Sequence, residues 1–239
     1  MESKKIIAKN IALMLKDGDV VNLGVGIPTL VSQYIPEGVT VLLHGENGCL
    51  GQNTLISLPP EEMEAWESQN GGGDGDWSLG HRDLINASCE YITLIPGGCC
   101  FDSSVAFAMA RGGHLDATIL GALQVDAEGN LANWTIPGKR LTGMGGAMDL
   151  VNGAKKVIIA MEHCSKNNEF KVLTKCSMPL TAIQCVNVIV TELCILECKS
   201  GRLIVKAMAP GLKKEELESK TEAKLVFPDI IPEMEISDL

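Results

Sequence analysis

Glu46 is the residue whose setting invites chemistry. It follows a continuous apolar run, Val39 to His44, and precedes Asn47-Gly48, a pair that favours a tight turn with positive φ. A carboxylate at a strand tip, half out of water, can serve as nucleophile, general base or metal ligand, or it can be satisfied by nearby backbone N–H groups. The remaining candidate ligands argue against metal. His44, His81, His114 and His163 are scattered without an H-x-x-x-H pair, and nine cysteines include no C-x-x-C. Asp74 and Asp76, set among glycines, lack the pattern of a calcium loop. No G-x-S-x-G marks a serine nucleophile, and no cysteine carries a nucleophile's local signature. Neither a metal ion nor a resident cofactor is expected.

Glycine pairs at 24/26, 97/98, 112/113 and 145/146 would let backbone approach a ligand, or let helices pack closely on strands. Gly24-Val25-Gly26 lacks the third glycine of a dinucleotide fingerprint, and no G-K-[ST] occurs, which excludes the common nicotinamide and nucleoside triphosphate motifs. The 239 residues are 46% hydrophobic and 21% charged, enough to bury a core as one globular domain over 1–239, or at most two small ones. Thirty acidic against twenty basic side chains give a net charge of −10, which argues against nucleic acid and anionic membrane surfaces. The first residues lack a secretory signal, no run of eighteen apolar residues could span a bilayer, and the odd number of cysteines suits reduced thiols. A soluble cytoplasmic protein is the expectation.

The elements that must position these residues follow from periodicity. Ile6, Ile7, Ile11, Met14 and Leu15 predict an amphipathic helix over 3–16, then a strand from Asp19 to Leu23 and a helix starting near Pro28. A strand from Tyr91 to Ile95, a Pro96-Gly97-Gly98 turn and a helix from Phe101 to Arg111, capped by Asp102 or Ser103, follow. Leu115 to Val125, Lys155 to Met161 and Cys185 to Glu192 read as buried parallel strands. Leu203 to Ala207 and Leu225 to Phe227 add strands around a charged helix near Leu212 to Lys220. The segment 52–82, with Pro59-Pro60 and a glycine-aspartate run, reads as a surface insertion in loop form. Strands alternating with helices imply an α/β fold with an open, mostly parallel sheet flanked by helices, and ligands then bind at the carboxyl ends of strands. That rule points to Gly24, Gly26, Glu46, Gly97 and Gly98.

Taken together, Asn22-Leu23-Gly24-Val25-Gly26-Ile27-Pro28, Glu46-Asn47-Gly48, Asp83-Leu84-Ile85-Asn86-Ala87, Arg111-Gly112-Gly113-His114, Ile136-Pro137-Gly138-Lys139 and Gly143-Met144-Gly145-Gly146-Ala147-Met148-Asp149-Leu150 resemble the family I CoA-transferases. The likeness is to the β subunit of the 3-oxoacid group, the acetate and butyrate–acetoacetate enzymes. It runs through nearly the whole chain in order and leaves 52–82 uncovered. It implies a fold of that subunit type and Glu46 as the catalytic glutamate, which attacks an acyl-CoA to give an acyl anhydride and then a glutamyl-CoA thioester in ping-pong turnover. It implies the backbone N–H of Gly146 as an oxyanion donor, with Asn22, Gly24, Gly26 and Asn47 near substrate and CoA. Coenzyme A is then a substrate, and the partner is a separate α subunit in a heterotetramer, with the active site between the two chains. Two departures stand out: Gly45 replaces the family's serine before the glutamate, and Leu50-Gly51-Gln52-Asn53-Thr54 replaces its Leu-Gly-x-Gly-Pro. An acyl-CoA hydrolase on the same scaffold and a non-catalytic acyl-CoA-binding module remain the alternatives.

Overall fold

The computed structural model describes residues 2–56, 58–69, 80–138 and 143–237. In chain order the elements are α1 (Glu2–Ala12), β1 (Val20–Leu23), a 3₁₀ helix (Ile27–Tyr34), β2 (Leu42–Gly45), β3 (Cys49–Leu55), α2 (Pro60–Gln69), β4 (Ile92–Cys100), α3 (Ser103–Arg111), β5 (Ala117–Leu120), β6 (Gln124–Asp126) and β7 (Leu131–Ala132). They continue with α4 (Ala147–Gly153), β8 (Val157–Ala160), β9 (Val172–Leu173), β10 (Val188–Val190), β11 (Cys194–Lys199), β12 (Arg202–Met208), α5 (Lys214–Ser219) and β13 (Leu225–Val226).

Ten strands form one sheet in the order β13-β12-β11-β10-β8-β5-β1-β2-β3-β4. Its middle, β10-β8-β5-β1-β2, is parallel throughout; antiparallel β11 and β12, with β13 parallel to β12, complete it on one side and antiparallel β3 and β4 on the other. The central strands are apolar on both faces because both faces are covered. In β8, Val157 and Ile159 join the core beneath α3, α4 and α5, while Ile158 and Ala160 join the one beneath α1. Ile7, Ala8, Ile11 and Ala12 of α1 are fully buried, the stripe that the periodicity predicts. A second sheet has the order β7-β6-β9, and its Val125, Leu131 and Val172 join the core beneath α3, α4 and α5. The expected α/β architecture with a mostly parallel sheet is what the chain adopts. Among the described residues no helix is long and apolar enough to cross a membrane.

Several local expectations differ. Leu115 to Val125 is broken at Gly121 into β5 and β6, which serve different sheets. Pro96-Gly97-Gly98 does not turn the chain; β4 runs through it. Leu94 pairs with Gln52 and Cys99 with Leu50, so the intervening residues bulge out opposite Gly51 alone. As the outermost strand, β4 tolerates Pro96, whose missing N–H breaks no ladder. Within 52–82, β3 extends to Leu55 and α2 follows, begun by Pro60 with Glu61 and Glu62 in its first turn. Trp66 of α2 packs on Tyr91 at 5.2 Å, and the Tyr91 hydroxyl donates to Glu67 at 2.7 Å. Asp74 and Asp76 lie outside the described residues.

The carboxyl end of β8 leads to His163, which is fully buried and bonded at both ring nitrogens, to the Thr191 and Thr221 hydroxyls at 3.0 Å each. Burial, with Lys220 and Lys171 nearby, lowers its pKa to about 4. The unfolded chain protonates this ring near pH 6.5 and the folded chain only near 4, so the unfolded state binds the extra proton between them. Stability therefore declines as pH falls from 6.5 to about 4, by a share on the order of 3 kcal/mol, and this component levels off below. Chemical denaturation of wild type and His163→Gln across that range checks it: the variant loses this part of the slope and keeps the rest.

Candidate active site

Glu46 sits in the loop that joins β2 to β3. Gly45 pairs with Cys49, and the Gly48 N–H closes the turn on the Gly45 carbonyl at 3.0 Å. Gly48 has φ +121°, and a Cβ there would collide with the Phe101 carbonyl oxygen. The Phe101 N–H in turn donates to the Gly48 carbonyl at 2.9 Å, so the loop is sealed to the chain leading into α3. Asn47, exposed at the tip, donates from Nδ2 to the Ile85 carbonyl at 2.7 Å. The expected turn is present, with its positive φ at the glycine.

Below the loop a buried polar ladder crosses the parallel strands. The Thr118 hydroxyl on β5 donates to Asn22 Oδ1 at 3.2 Å. Asn22 Nδ2 on β1 reaches the His44 carbonyl at 3.2 Å and His44 Nδ1 at 3.4 Å. His44 Nε2 donates to the Ala106 carbonyl of α3 at 3.2 Å. These partners require the neutral ring protonated on Nε2, and burial lowers the pKa of His44 in agreement. The ladder fixes β2, two residues before Glu46, to the helix that walls the site.

That wall is α3 against α4. Asp102 caps α3 by accepting the Ser104 N–H at 2.8 Å. Gly153 lets the helices meet, since a Cβ there would strike Ala110, and Arg111 Nε donates to Asp149 at 2.8 Å across the pair. Gly146 caps α4 and is buried. A Cβ built on it would lie 2.8 Å from Glu46 Oε2 and 2.7 Å from the Phe107 ring. The structure thus brings Glu46 and Gly146 together, with Phe107 closing the third side. Among the described residues the Gly146 N–H donates to no acceptor, and no cation forms an ion pair with Glu46. Burial alone raises the Glu46 pKa. Nor do any three His, Cys, Asp or Glu among the described residues cluster as metal ligands.

The coenzyme A transferase family model matches residues 4–67 and 80–217. The chain belongs to the coenzyme A transferase family. It is 46% identical over 237 residues to the acetate CoA-transferase subunit beta of Haemophilus influenzae, covering 99% of this chain and 97% of that one. It is 43% identical over 233 residues to the mitochondrial succinyl-CoA:3-ketoacid coenzyme A transferase 2A of Rattus norvegicus, covering 96% of this chain but 41% of that one. Among solved structures, an acyl-CoA transferase of Escherichia coli O157:H7 superposes with a TM-score of 0.71 at 17% identity, over 98% of this chain and 43% of that one. The chain thus spans nearly all of the Haemophilus influenzae subunit beta and under half of the Rattus norvegicus and Escherichia coli proteins.

The other residues expected near substrate lie apart from this cluster. Asn22 is 2% exposed with its amide spent within the ladder, so it supports the site from beneath instead of facing open space. Gly24 packs tightly under Leu120, while Gly26, φ +91°, opens on free space at the start of the 3₁₀ helix. Gly97 and Gly98 belong to the edge strand β4, where Gly98 packs on Leu50 and Gly51, and no described contact sets them against Glu46. Lys139 lies outside the described residues. Phe107, Thr118 and the role of His44 escape the sequence reading; Phe107 shows there only as one apolar residue of a helix. Because folding raises the Glu46 pKa, ionising this carboxyl weakens the fold as pH rises through the carboxylate range. Glu46→Gln is accordingly more stable than wild type at pH 7 to 8, and thermal denaturation shows the advantage shrinking toward pH 4.

Proposed function

We propose that this chain is the glutamate-bearing subunit of a two-chain coenzyme A transferase, which moves CoA between an acyl-CoA and a short-chain carboxylic or 3-oxo acid. The observation that carries the reading is the half-buried Glu46 carboxylate, unpaired with any described cation, resting against a buried glycine whose N–H meets no acceptor among the described residues. Moving CoA between acids is nearly isoenergetic, so the enzyme must hold the thioester without hydrolysing it. The carboxylate of Glu46 adds to the acyl-CoA carbonyl, and expulsion of the CoA thiolate leaves an acyl anhydride on Glu46. The thiolate then attacks the glutamyl carbonyl, forms the glutamyl thioester and releases the first acid. The acceptor acid reverses both steps. Each tetrahedral intermediate carries an oxyanion beside Glu46, which is where the Gly146 N–H can donate. Partial burial suits the task, because a carboxylate short of hydration is the better nucleophile.

Acetate and 3-ketoacids, named in the relatives, are the first substrates to try. The relatives called subunit beta support a separate α subunit, assembled here as a heterotetramer in the cytoplasm. Val25 just after β1, Val105 in the first turn of α3 and Met144 just before α4 are exposed at 68%, 46% and 39%, apolar surface that such a partner would cover.

Steady-state kinetics of the assembled enzyme test the proposal. Varying acyl-CoA at several acceptor concentrations should give parallel double-reciprocal lines, with no sustained CoA release when acceptor is absent. Glu46→Gln should lose at least about 10³-fold in kcat, and Gly146→Ala, whose methyl must displace the carboxylate or Phe107, about 10²-fold. Intersecting lines or an active Glu46→Gln would overturn the covalent route, and steady CoA release without acceptor would mark a hydrolase.

A further inference from the structure

Gly45, the residue before Glu46, has no room for a side chain. A Cβ there would lie 2.7 Å from Cys49 Sγ and 2.8 Å from Asn47 Oδ1, and would collide with the amide nitrogen of Gln52. The Gln52 amide therefore occupies the volume that any larger residue at 45 would fill, and its Nε2 also donates to Cys49 Sγ at 3.2 Å. It reaches this place through an irregularity. Leu43 pairs with Gln52 and His44 with Leu50, so Gly51 is an extra residue on β3. Strand alternation alone would set Gln52 on the face opposite Cys49, three residues earlier; the inserted residue returns it to the face shared by Leu43, Gly45 and Cys49. Gly51 has φ +86°, and a Cβ there would stand 3.0 Å from the Gly98 Cα, so the bulge depends on glycine. The cavity around the amide, bounded by Leu23, Ser32, Asn53 and Asn86 among others, has about 30 Å³ to spare, room for a water or two and not for an acyl chain.

We infer that Gln52 is a positioning residue for Glu46: delivered by the Gly51 bulge, its amide plugs the space beside Gly45 and holds the backbone that aims the carboxylate at Gly146. The hydrogen bond to Cys49 is secondary, since a thiol is a weak acceptor, and the filled volume is what holds the loop. Its length and shape matter more than its polarity. A shift of about 1 Å at a reacting group costs on the order of 10²-fold in rate, so loosening this backstop is felt in turnover more than in binding.

The inference rests on Glu46 as the reacting carboxylate, and kinetics of the enzyme assembled with its partner subunit separate the two ideas. Gln52→Ala should lower kcat about tenfold with KM within about twofold of wild type, while Gln52→Met, alike in length, stays within about threefold in kcat. Gly45→Ala should be at least as damaging as Gln52→Ala, and the double variant should exceed the activity of Gly45→Ala alone, because the emptied volume accepts the new methyl. An unchanged kcat in Gln52→Ala, an equal loss in Gln52→Met, or a double variant at the product of the two single losses would overturn the role of Gln52. If Glu46→Gln keeps full activity, the reading of Glu46 fails instead.

Discussion

Everything at this site depends on holding a carboxylate partly out of water with no cation paired to it among the described residues. An arginine or lysine beside Glu46 would repay its desolvation but would also lower its basicity and occupy its lone pairs. The chain instead covers the group with a glycine backbone and an aromatic ring, at Gly146 and Phe107. On that wall the Arg111 guanidinium is paired with Asp149 at 2.8 Å. The carboxyl is held above its ordinary pKa by burial, beside the Gly146 backbone, and that combination suits a nucleophile whose own adducts carry an oxyanion.

Such a group is costly to the fold, and the surroundings show where the cost is offset. The central strands are buried on both faces and form a rigid base. The Thr118–Asn22–His44 ladder uses nearly every polar atom it buries and ends on α3, so β2 and the wall helix cannot move independently. The Gly51 bulge and Gln52 back the loop from the other face of the sheet. Placement thus comes from three directions: ladder below, bulge behind and α3–α4 in front.

Much of this was legible in the residues themselves. An apolar run ending in Glu-Asn-Gly states a strand tip and a turn, and Asp102 before Ser103-Ser104 states a helix cap. Contact between Glu46 and Gly146 was not readable from local pattern, because a hundred residues separate them; only the resemblance joined them. Asn22 stood near substrate only through the resemblance, and nothing in its local pattern announced the cross-strand bonds that occupy its amide. The Gly51 bulge left no local signal beyond one glycine, since register is set by pairing with β2 and β4. Segment 60–69 was hidden by its prolines and acids, although a proline followed by two glutamates is also how a helix begins. Continuous β-branched runs marked the central strands, while two-residue strands such as β7 and β9 are too short to carry a pattern.

With Glu46 as nucleophile, coenzyme A becomes bonded to its side chain during turnover. The most direct measurement is mass spectrometry of the assembled enzyme incubated with acyl-CoA and then treated with borohydride, which reduces a glutamyl thioester to the alcohol. A covalent nucleophile at Glu46 gives a loss of about 14 Da confined to the peptide that contains it, and absent in Glu46→Ala. Active enzyme whose Glu46 peptide keeps its mass with several acyl-CoAs would contradict it.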